Sequence, residues 1–262
     1  NNIAVLRVVG TISQQPNSGY NQQYFLNSID KITKDKKNRG ILLYIDSPGG
    51  AVYESDELYL KLMKYKQDTG RPIYVSMSHL AASGGYYLSA AGDKIYANRN
   101  TLTGSIGVIA GSSLDLTGLF EKHGIKMTTI TAGKNKNMLN YNSPMTEEQR
   151  QIMQSVADEA YNQFVDIIAK ARGMSIEQVK ALADGRIYTP IQALNNGLID
   201  GIATFEEVKE KMKSDLNLDD PYFDDFSYQY TSSIFDVMAK SAINPLKGYS
   251  EFDFINSLDN PL

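Results

Sequence analysis

Ser83 lies between two alanines and two glycines, in the run Ala81–Gly85. Neighbours this small leave a serine hydroxyl open to a peptide carbonyl, and the predicted helix that starts here adds positive potential at its first turn. The run does not match the Gly-x-Ser-x-Gly nucleophile motif, because Ala81 stands where the first glycine would be. Close packing of the helix would explain the same small residues. Ser83 is therefore a candidate nucleophile, with a packing role as the alternative.

A second glycine-rich turn, Asp46–Gly50, follows the apolar run Ile41–Ile45. Turns at the carboxyl ends of strands are where open α/β sheets place their sites. Glycines there expose backbone N–H groups that can stabilise an oxyanion. A plain turn would also use proline and glycine, so a structural role stays open as well.

A serine nucleophile needs a general base, and the chain has only two histidines. His79 comes four residues before Ser83, on the side where we expect the strand to give way to the loop. His123 follows a short helical pattern and precedes a glycine, which is typical of a helix C-terminus. A lysine can act instead when burial lowers its pKa from about 10.4. Lys136 is the candidate, with Lys134 as its rival.

The elements around these residues alternate between strand and helix. We predict strands over Ile3–Val9, Ile41–Ile45, Ile73–Met77 and Lys94–Ala97. Helical patterns separate the first three strands, and this rhythm favours βαβ crossovers and a largely parallel sheet. The stripe from Ile152 to Ile168 predicts a long helix capped at Thr146 and ending at Arg172–Gly173, and Ser175 opens a shorter one. The fold class is α/β.

Composition narrows the classes of function. The 262 residues carry 26 Lys and Arg against 30 Asp and Glu, a net charge of −4, which is not the charge pattern of a nucleic-acid-binding protein. No cysteines and two histidines argue against disulfides and against a metal site, and no apolar run is long enough to span a membrane. The chain opens at Asn1 directly in a strand-like run, so we expect that an anchor or signal segment has been removed.

Several separated motifs occur in a characteristic order and spacing. They are Asp46–Gly50, Ala81–Tyr87, Thr101–Val108, Gly133-x-x-Lys136, Asp184–Tyr188 with Ala193, and Gly197–Asp200. Together they closely resemble the bacterial signal peptide peptidase A family, also called protease IV. The resemblance extends from Ile3 to about Ile202 and is weak beyond about Leu218.

The resemblance implies a Clp/crotonase-like fold of stacked ββα units and a serine peptidase with a Ser/Lys dyad, without cofactor or metal. Lys136 matches the general base through its spacing from Gly133, whereas Lys134 is off by two positions. The remaining implied roles are Ser83 as the nucleophile, Ser105 as the residue that orients the lysine amine, and Gly50 and Gly84 as the oxyanion-hole amides.

The resemblance also implies a setting for the chain. Family members degrade remnant signal peptides, are anchored in the bacterial cell membrane by one N-terminal span with the catalytic domain outside the cytoplasm, and form homo-oligomers. This chain has one Ser motif and one Lys motif, like the single-domain form that assembles as an octamer. We expect a peptidase domain over 1–217 and a C-terminal tail over 218–262 that can occlude the site. Because Ser83 and Lys136 lie on separate segments, the dyad could be completed between subunits.

Three other hypotheses about the function are less well supported by the motifs. A crotonase-like acyl-CoA enzyme shares the fold but needs a catalytic acid that the surroundings of Ser83 do not offer. A Clp-type protease needs a Ser-His-Asp triad, for which His123 is possible in order but poorly matched in context. A silent scaffold that binds peptides in the same groove would have no need of both Ser83 and Lys136.

Overall fold

Eight strands form one sheet in the computed structural model, which describes residues 1–17 and 19–229. The strands are β1 (Asn2–Val9), β2 (Asn38–Ser47), β3 (Ile73–Ala82), β4 (Lys94–Ala97), β5 (Leu102–Gly104), β6 (Ile187–Tyr188), β7 (Gly201–Ile202) and β8 (Tyr222–Ser227). The helices are α1 (Gln22–Lys34), α2 (Val52–Thr69), α3 (Gly84–Ser89), α4 (Thr117–Lys122), α5 (Glu147–Arg172), α6 (Ile176–Leu182), α7 (Pro190–Asn195) and α8 (Phe205–Asp215).

The sheet is parallel except at one pair. Its main path runs β6-β5-β3-β2-β1-β8, and only β5 and β6 pair antiparallel. Strand β3 is long enough to have two partners on the same edge, β4 along its first half and β5 along Leu80–Ala82. The predicted α/β class with a largely parallel sheet is therefore confirmed.

Helices cover both faces of the sheet, which explains why its strands are almost continuously apolar. Leu6 and Val8 of β1 face the larger core, which the helices α1, α2, α3 and α5 complete. Ile3 and Val5 of the same strand face the opposite side, where α8 packs. The alternation follows from the two-residue period of a strand.

The predicted long helix is confirmed as α5. Thr146 caps it in a reciprocal capping box with Gln149, and Gly173 ends it in the left-handed conformation. Ser175 opens α6 with the same kind of box. Strand β3, by contrast, runs five residues beyond the predicted end, because Leu80–Ala82 pair with β5, a strand that local sequence did not indicate. His79 therefore lies inside a strand rather than beside a loop.

The C-terminal segment begins inside the sheet. Residues 222–227 form β8, which pairs in parallel with β1, and the compact unit extends to Tyr228. The boundary predicted at 217 thus precedes one strand of this unit. The rest of the predicted tail, from residue 230, lies outside the described residues, so its occlusion of the site stays a prediction. In the part of the chain that the structure describes, no helix has the length and apolar character to cross a membrane.

Candidate active site

Ser83 occupies a sharp turn between β3 and α3. Its backbone has φ 52° and ψ −120°, a conformation that costs a non-glycine residue roughly 1–3 kcal/mol. Two hydrogen bonds hold it there: its N–H donates to the carbonyl of Gly104 at 2.8 Å, and its own carbonyl accepts from the N–H of Tyr87 at 2.9 Å. A strained strand-to-helix turn is the conformation of a nucleophile elbow, although the sequence lacks that motif.

Three glycines come together beside this turn. A Cβ on Gly49 would lie closer than 3.0 Å to the N atom of Gly84, and one on Gly84 would lie 2.5 Å from Oγ of Ser55. A Cβ on Gly50 would collide with the backbone of Ile12, and the φ of Gly50 is +154°. Any side chain at these positions would push the two segments apart, so glycine is required for their close approach.

Two amides in this cluster are available to a ligand. Within the described residues, neither the N–H of Gly50 nor that of Gly84 donates a hydrogen bond to the protein. The neighbouring amides are occupied: Gly49 donates to Oγ of Ser47 at 3.1 Å, and Ala51 donates to the carbonyl of Ile12 at 2.9 Å. Paired donors beside a serine are the arrangement that stabilises a tetrahedral oxyanion.

Ser105 lies next to Ser83 across the paired strands β3 and β5. It also has a positive φ, 49°, and its N–H donates to the carbonyl of Arg186 at 2.8 Å. The N–H of Gly185 donates to the carbonyl of Ile106 at 3.0 Å, so the Asp184–Tyr188 motif holds the Ser105 segment in place. The Arg186 guanidinium binds the Asp184 carboxylate and lowers its pKa to about 2.

Both serines line one cavity of about 510 Å³, together with Gly50. A smaller pocket of about 30 Å³ opens between α3 and α5 and is also bordered by Ser83. A third cavity, about 620 Å³, is larger but contains neither serine, and it shares only Val108 and Ile109 with the 510 Å³ cavity. We place the site at Ser83 because the strained turn and the unpaired amides are there.

The two candidate lysines differ in their surroundings. Lys134 pairs with Glu148 at the start of α5, and Asn135 donates to the same carboxylate at 3.0 Å. The pair with Lys134 holds the pKa of Glu148 below its usual range. Lys136 is exposed and lines neither of the two cavities at Ser83. A single chain therefore brings Ser83, Ser105, Gly50 and Gly84 together but does not bring Lys136 to them.

The histidines do not complete a triad at Ser83. His79 is 88% exposed and its Nδ1 lies 2.7 Å from Oδ2 of Asp46. His123 caps the C-terminus of α4, as predicted. Neither lines a cavity that Ser83 borders.

Sequence reasoning missed the residues that shape the small pocket. Val52 comes from α2, Tyr87 from α3, and Ala160 and Phe164 from α5, some eighty residues after Ser83. Only packing of α5 against α3 brings them together, and no local spacing could have shown it. Of these four residues, only Tyr87 lies within one of the matched motifs, Ala81–Tyr87.

Comparisons with known proteins found one matching family model and several similar proteins. Residues 65–219 match the family model described as peptidase family S49. A relative from Enterococcus faecium, named as a signal peptide peptidase (SppA), is 44% identical over 201 residues, which cover 77% of this chain and 58% of that protein. A relative from Methanocaldococcus jannaschii, named as a protease, is 34% identical and covers 84% of this chain and 70% of its own. Protease 4 of Haemophilus influenzae is 32% identical, covering 88% of this chain and 37% of that protein.

The chain spans about three-fifths of the length of the first curated relatives it matches, 58% and 64%. Among solved structures, a ClpP1 mutant from Listeria monocytogenes superimposes with a TM-score of 0.53 at 16% identity, covering 78% of this chain and 93% of that one. A likeness at this identity shows the fold, and the predicted Clp/crotonase-like fold is confirmed.

Proposed function

The chain belongs to peptidase family S49, and from that membership we propose that it is a serine endopeptidase whose nucleophile is Ser83 and whose general base is Lys136. The observation that carries the proposal is the strained turn at Ser83 with the unpaired N–H groups of Gly50 and Gly84 beside it. Such a site supplies what acyl transfer needs: an exposed nucleophile and donors aimed at developing negative charge.

The reaction proceeds in two halves. Oγ of Ser83 attacks the peptide carbonyl while neutral Lys136 takes the hydroxyl proton, and the carbonyl oxygen becomes an oxyanion held by the two glycine amides. The C–N bond then breaks as the Lys136 ammonium gives its proton to the leaving amine. Water repeats the sequence on the acyl-enzyme: Lys136 takes a proton from water, the hydroxide adds to the ester, and Ser83 leaves with its proton restored. Ser105 orients the lysine amine.

We place Lys136 in the active site of a second copy of this chain. The support is its exposed position away from Ser83 and the character of the segment that bears it. From residue 107 to residue 163 no side chain is buried, yet the segment exposes many large apolar residues. Ile109 is 86% exposed and Ile130 is 94% exposed. Apolar surface of this extent marks a protein–protein interface, and a closed ring such as an octamer would repeat the same contact at every subunit.

The substrate is an extended peptide. Within the described residues, no backbone N–H or C=O of residues 107–112 is hydrogen-bonded, and the first three of them, Gly107–Ile109, line the cavity that contains Ser83. A peptide strand can pair with these groups, so that main-chain bonds set its register. Cleaved signal peptides, which are apolar and extended, fit such a groove. We further propose the setting that the family resemblance implies: an N-terminal single-pass anchor outside this sequence and a catalytic domain on the outer side of the bacterial cell membrane.

The acyl-enzyme tests this function directly. We expect that quenching the protein in acid during turnover of an activated ester of a short apolar peptide leaves the acyl group on the tryptic fragment containing Ser83, detected by mass. Turnover with no adduct on that fragment, or an adduct on another one, would contradict the assignment. The Ser83→Ala variant is the control and should show neither turnover nor adduct.

A further inference from the structure

Strand β3 is interrupted by a bulge shortly before Ser83. In the pairing of β2 with β3, three residues of β3, Ser78–Leu80, lie opposite one residue of β2, Asp46. On its other edge β3 changes partner at the same place, from β4, which pairs up to Met77, to β5, which pairs from the last residue of the bulge. The first two residues of the bulge therefore have no register partner on either side among the described strands. Bulges redirect a strand and are frequent next to active sites.

Side chains hold the bulge where the strand ladder does not. Oδ1 of Asp46 accepts from the N–H of Leu80 at 3.2 Å, and Oδ2 lies 2.7 Å from Nδ1 of His79. Because a carboxylate only accepts hydrogen bonds, Nδ1 of His79 carries the hydrogen. At the third bulge residue, Oγ1 of Thr101 donates to the carbonyl of Ser78 at 2.6 Å. One carboxylate thus binds two of the three bulge residues.

Asp46 also begins the turn that carries the Gly50 amide. Its carbonyl accepts from the N–H of Gly10 at 2.9 Å, which fixes its backbone against the end of β1. The next residue, Ser47, donates from Oγ to the carbonyl of Gly10 at 2.6 Å. Asp46 therefore lies on a fixed support at the base of this turn, and its carboxylate connects the turn to the strand that carries Ser83.

The Asp46 carboxylate has one cationic neighbour within 4 Å in the described part of the chain. That neighbour is His79, whose side chain is 88% exposed, whereas the side chain of Asp46 is 24% exposed. A cation of the adjacent strand, Arg7, is bound to Asp225 at 2.7 Å and lies over the ring of Tyr44. His79 therefore holds Oδ2, which leaves Oδ1 for the N–H of the bulge.

We propose that Asp46 is a positioning residue: its carboxylate locks the β3 bulge and so fixes Oγ of Ser83 relative to the Gly50 amide. His79 assists it by holding one carboxylate oxygen. The inference rests on the proposed function, since it concerns how that site is held. Asp46 lines neither cavity at Ser83 and acts only through the strand. Because a misplacement of about 1 Å can cost about 100-fold in rate, release of the bulge should affect kcat rather than KM.

Steady-state kinetics on one peptide test the lock. Asp46→Ala removes both bonds and should lower kcat by about 10–100-fold, while KM changes by less than about threefold. Asp46→Asn keeps an oxygen for the N–H of Leu80 and should restore most of the native kcat. His79→Ala should lower kcat by about two- to fivefold, a smaller loss because its imidazole is exposed. In the Asp46→Ala background, His79→Ala should have no further effect, because His79 acts through Asp46.

The matched control is Asp93→Ala. Asp93 binds the same strand at the end opposite to Ser83: its Oδ2 accepts from the N–H of Ile73 at 2.8 Å, and its Oδ1 pairs with Lys66 at 2.7 Å. The substitution thus removes an equivalent pair of bonds, and it should lower thermal stability while kcat stays native. A native kcat in Asp46→Ala, or an equal loss of kcat in Asp46→Ala and Asp93→Ala, would overturn the inference.

Amide hydrogen exchange separates this inference from the proposed function, because it requires no catalysis. The peptic fragment containing Leu80–Ser83 should exchange at least about tenfold faster in Asp46→Ala and at the native rate in Asp93→Ala. That result supports the lock even if the native protein cleaves no peptide, in which case only the proposed function is lost. Native exchange of this fragment in Asp46→Ala overturns the inference and leaves the function intact. If Asp46→Ala fails to fold, the exposed substitution His79→Ala replaces it, and native kcat with native exchange there overturns the inference.

Discussion

Ser83 and Ser105 share a positive φ, 52° and 49°, directly after the paired strands β3 and β5, and both line the same cavity. The bond from the N–H of Ser83 to the carbonyl of Gly104, the residue before Ser105, links the two turns at 2.8 Å. The fold therefore holds two strained serines side by side, and that strain is stabilised by strand pairing on each side.

Replacing Ser105 should separate strain from catalysis. Ser105→Gly removes the hydroxyl and replaces a strained residue by one that adopts a positive φ without strain, so we expect unchanged or higher thermal stability. We also expect a kcat about tenfold lower, because a tenfold change corresponds to the free energy of one hydrogen bond. Steady-state kinetics and thermal unfolding measure the two quantities. A kcat equal to that of the native protein would show that Ser105 does not orient the base.

Substitution of a glycine in the cluster at Ser83 should lower kcat nearly as much as substitution of Ser83 itself. In Gly50→Ala the new Cβ collides with the backbone of Ile12 and displaces one oxyanion donor, which typically lowers kcat by about 100–1,000-fold. Gly70→Ala is the control: Gly70 also has a positive φ, 66°, but a Cβ there meets no atom within 4 Å. Equal kcat in the two variants would exclude Gly50 from the oxyanion hole.

Much of this arrangement was predictable from sequence because the patterns were local. The apolar runs showed β1, β2 and β3, and the capping residues at Thr146 and Ser175 showed where two helices begin. The Ser83 and Gly50 turns were recognisable because each follows a strand directly. In each case the signal lies within a few residues of the element it describes.

The remaining features depend on contacts between distant segments. Strand β8 is polar at Asp224 and Asp225 and becomes a strand only by pairing with β1, some 220 residues earlier. The pocket at Tyr87 exists only because α5 packs there. The hydroxyl of Tyr87 is hydrogen-bonded to Asp56 and Gln163, and nothing in the sequence distinguishes these two from other polar residues of a helix. Lys136 lies outside the cavities at Ser83. The Gly-x-x-Lys spacing could not have predicted this, because it shows which lysine matches the motif but not where that lysine lies in the folded chain.

Mixing two inactive variants should restore activity if the dyad forms between copies of the chain. Ser83→Ala keeps Lys136, and Lys136→Ala keeps Ser83, so neighbouring subunits of a mixed ring can supply one intact pair. Random mixing predicts recovery of about a quarter of the native rate. The assay is peptide cleavage after the two proteins are dissociated and reassembled together. No recovery, in mixtures that mass spectrometry shows to be co-assembled, would place the dyad within one chain.

The ion pair of Arg172 and Asp200 should make stability depend on pH. Burial disfavours the Asp200 carboxylate, but the Arg172 guanidinium at 2.8 Å and the N–H of Ile95 at 2.7 Å outweigh burial and hold the pKa of Asp200 below its usual range. The resulting stabilisation is complete above the ordinary aspartate pKa of about 3.9 and is lost as pH falls through the lower native value.

Urea unfolding of the native protein and Asp200→Asn measures this effect. The variant should have the lower free energy of unfolding at pH 7. The difference should narrow at about pH 3, below the ordinary aspartate pKa of about 3.9, because the unfolded chain binds a proton there more readily than the native carboxylate does. Other carboxylates titrate in both proteins and cancel in the comparison. A difference that stays constant between the two pH values would show that the charge of Asp200 is not what stabilises the fold.

Cleavage of one fluorogenic apolar peptide by four proteins tests the Ser83/Lys136 dyad most directly. The proteins are the native chain, Ser83→Ala, Lys136→Ala and Lys134→Ala, compared at matched folding and oligomeric state. We expect cleavage to be lost in Ser83→Ala and Lys136→Ala and kept in Lys134→Ala, because Lys134 is engaged by Glu148. Equal activity in all four proteins would contradict the dyad and place the chemistry elsewhere.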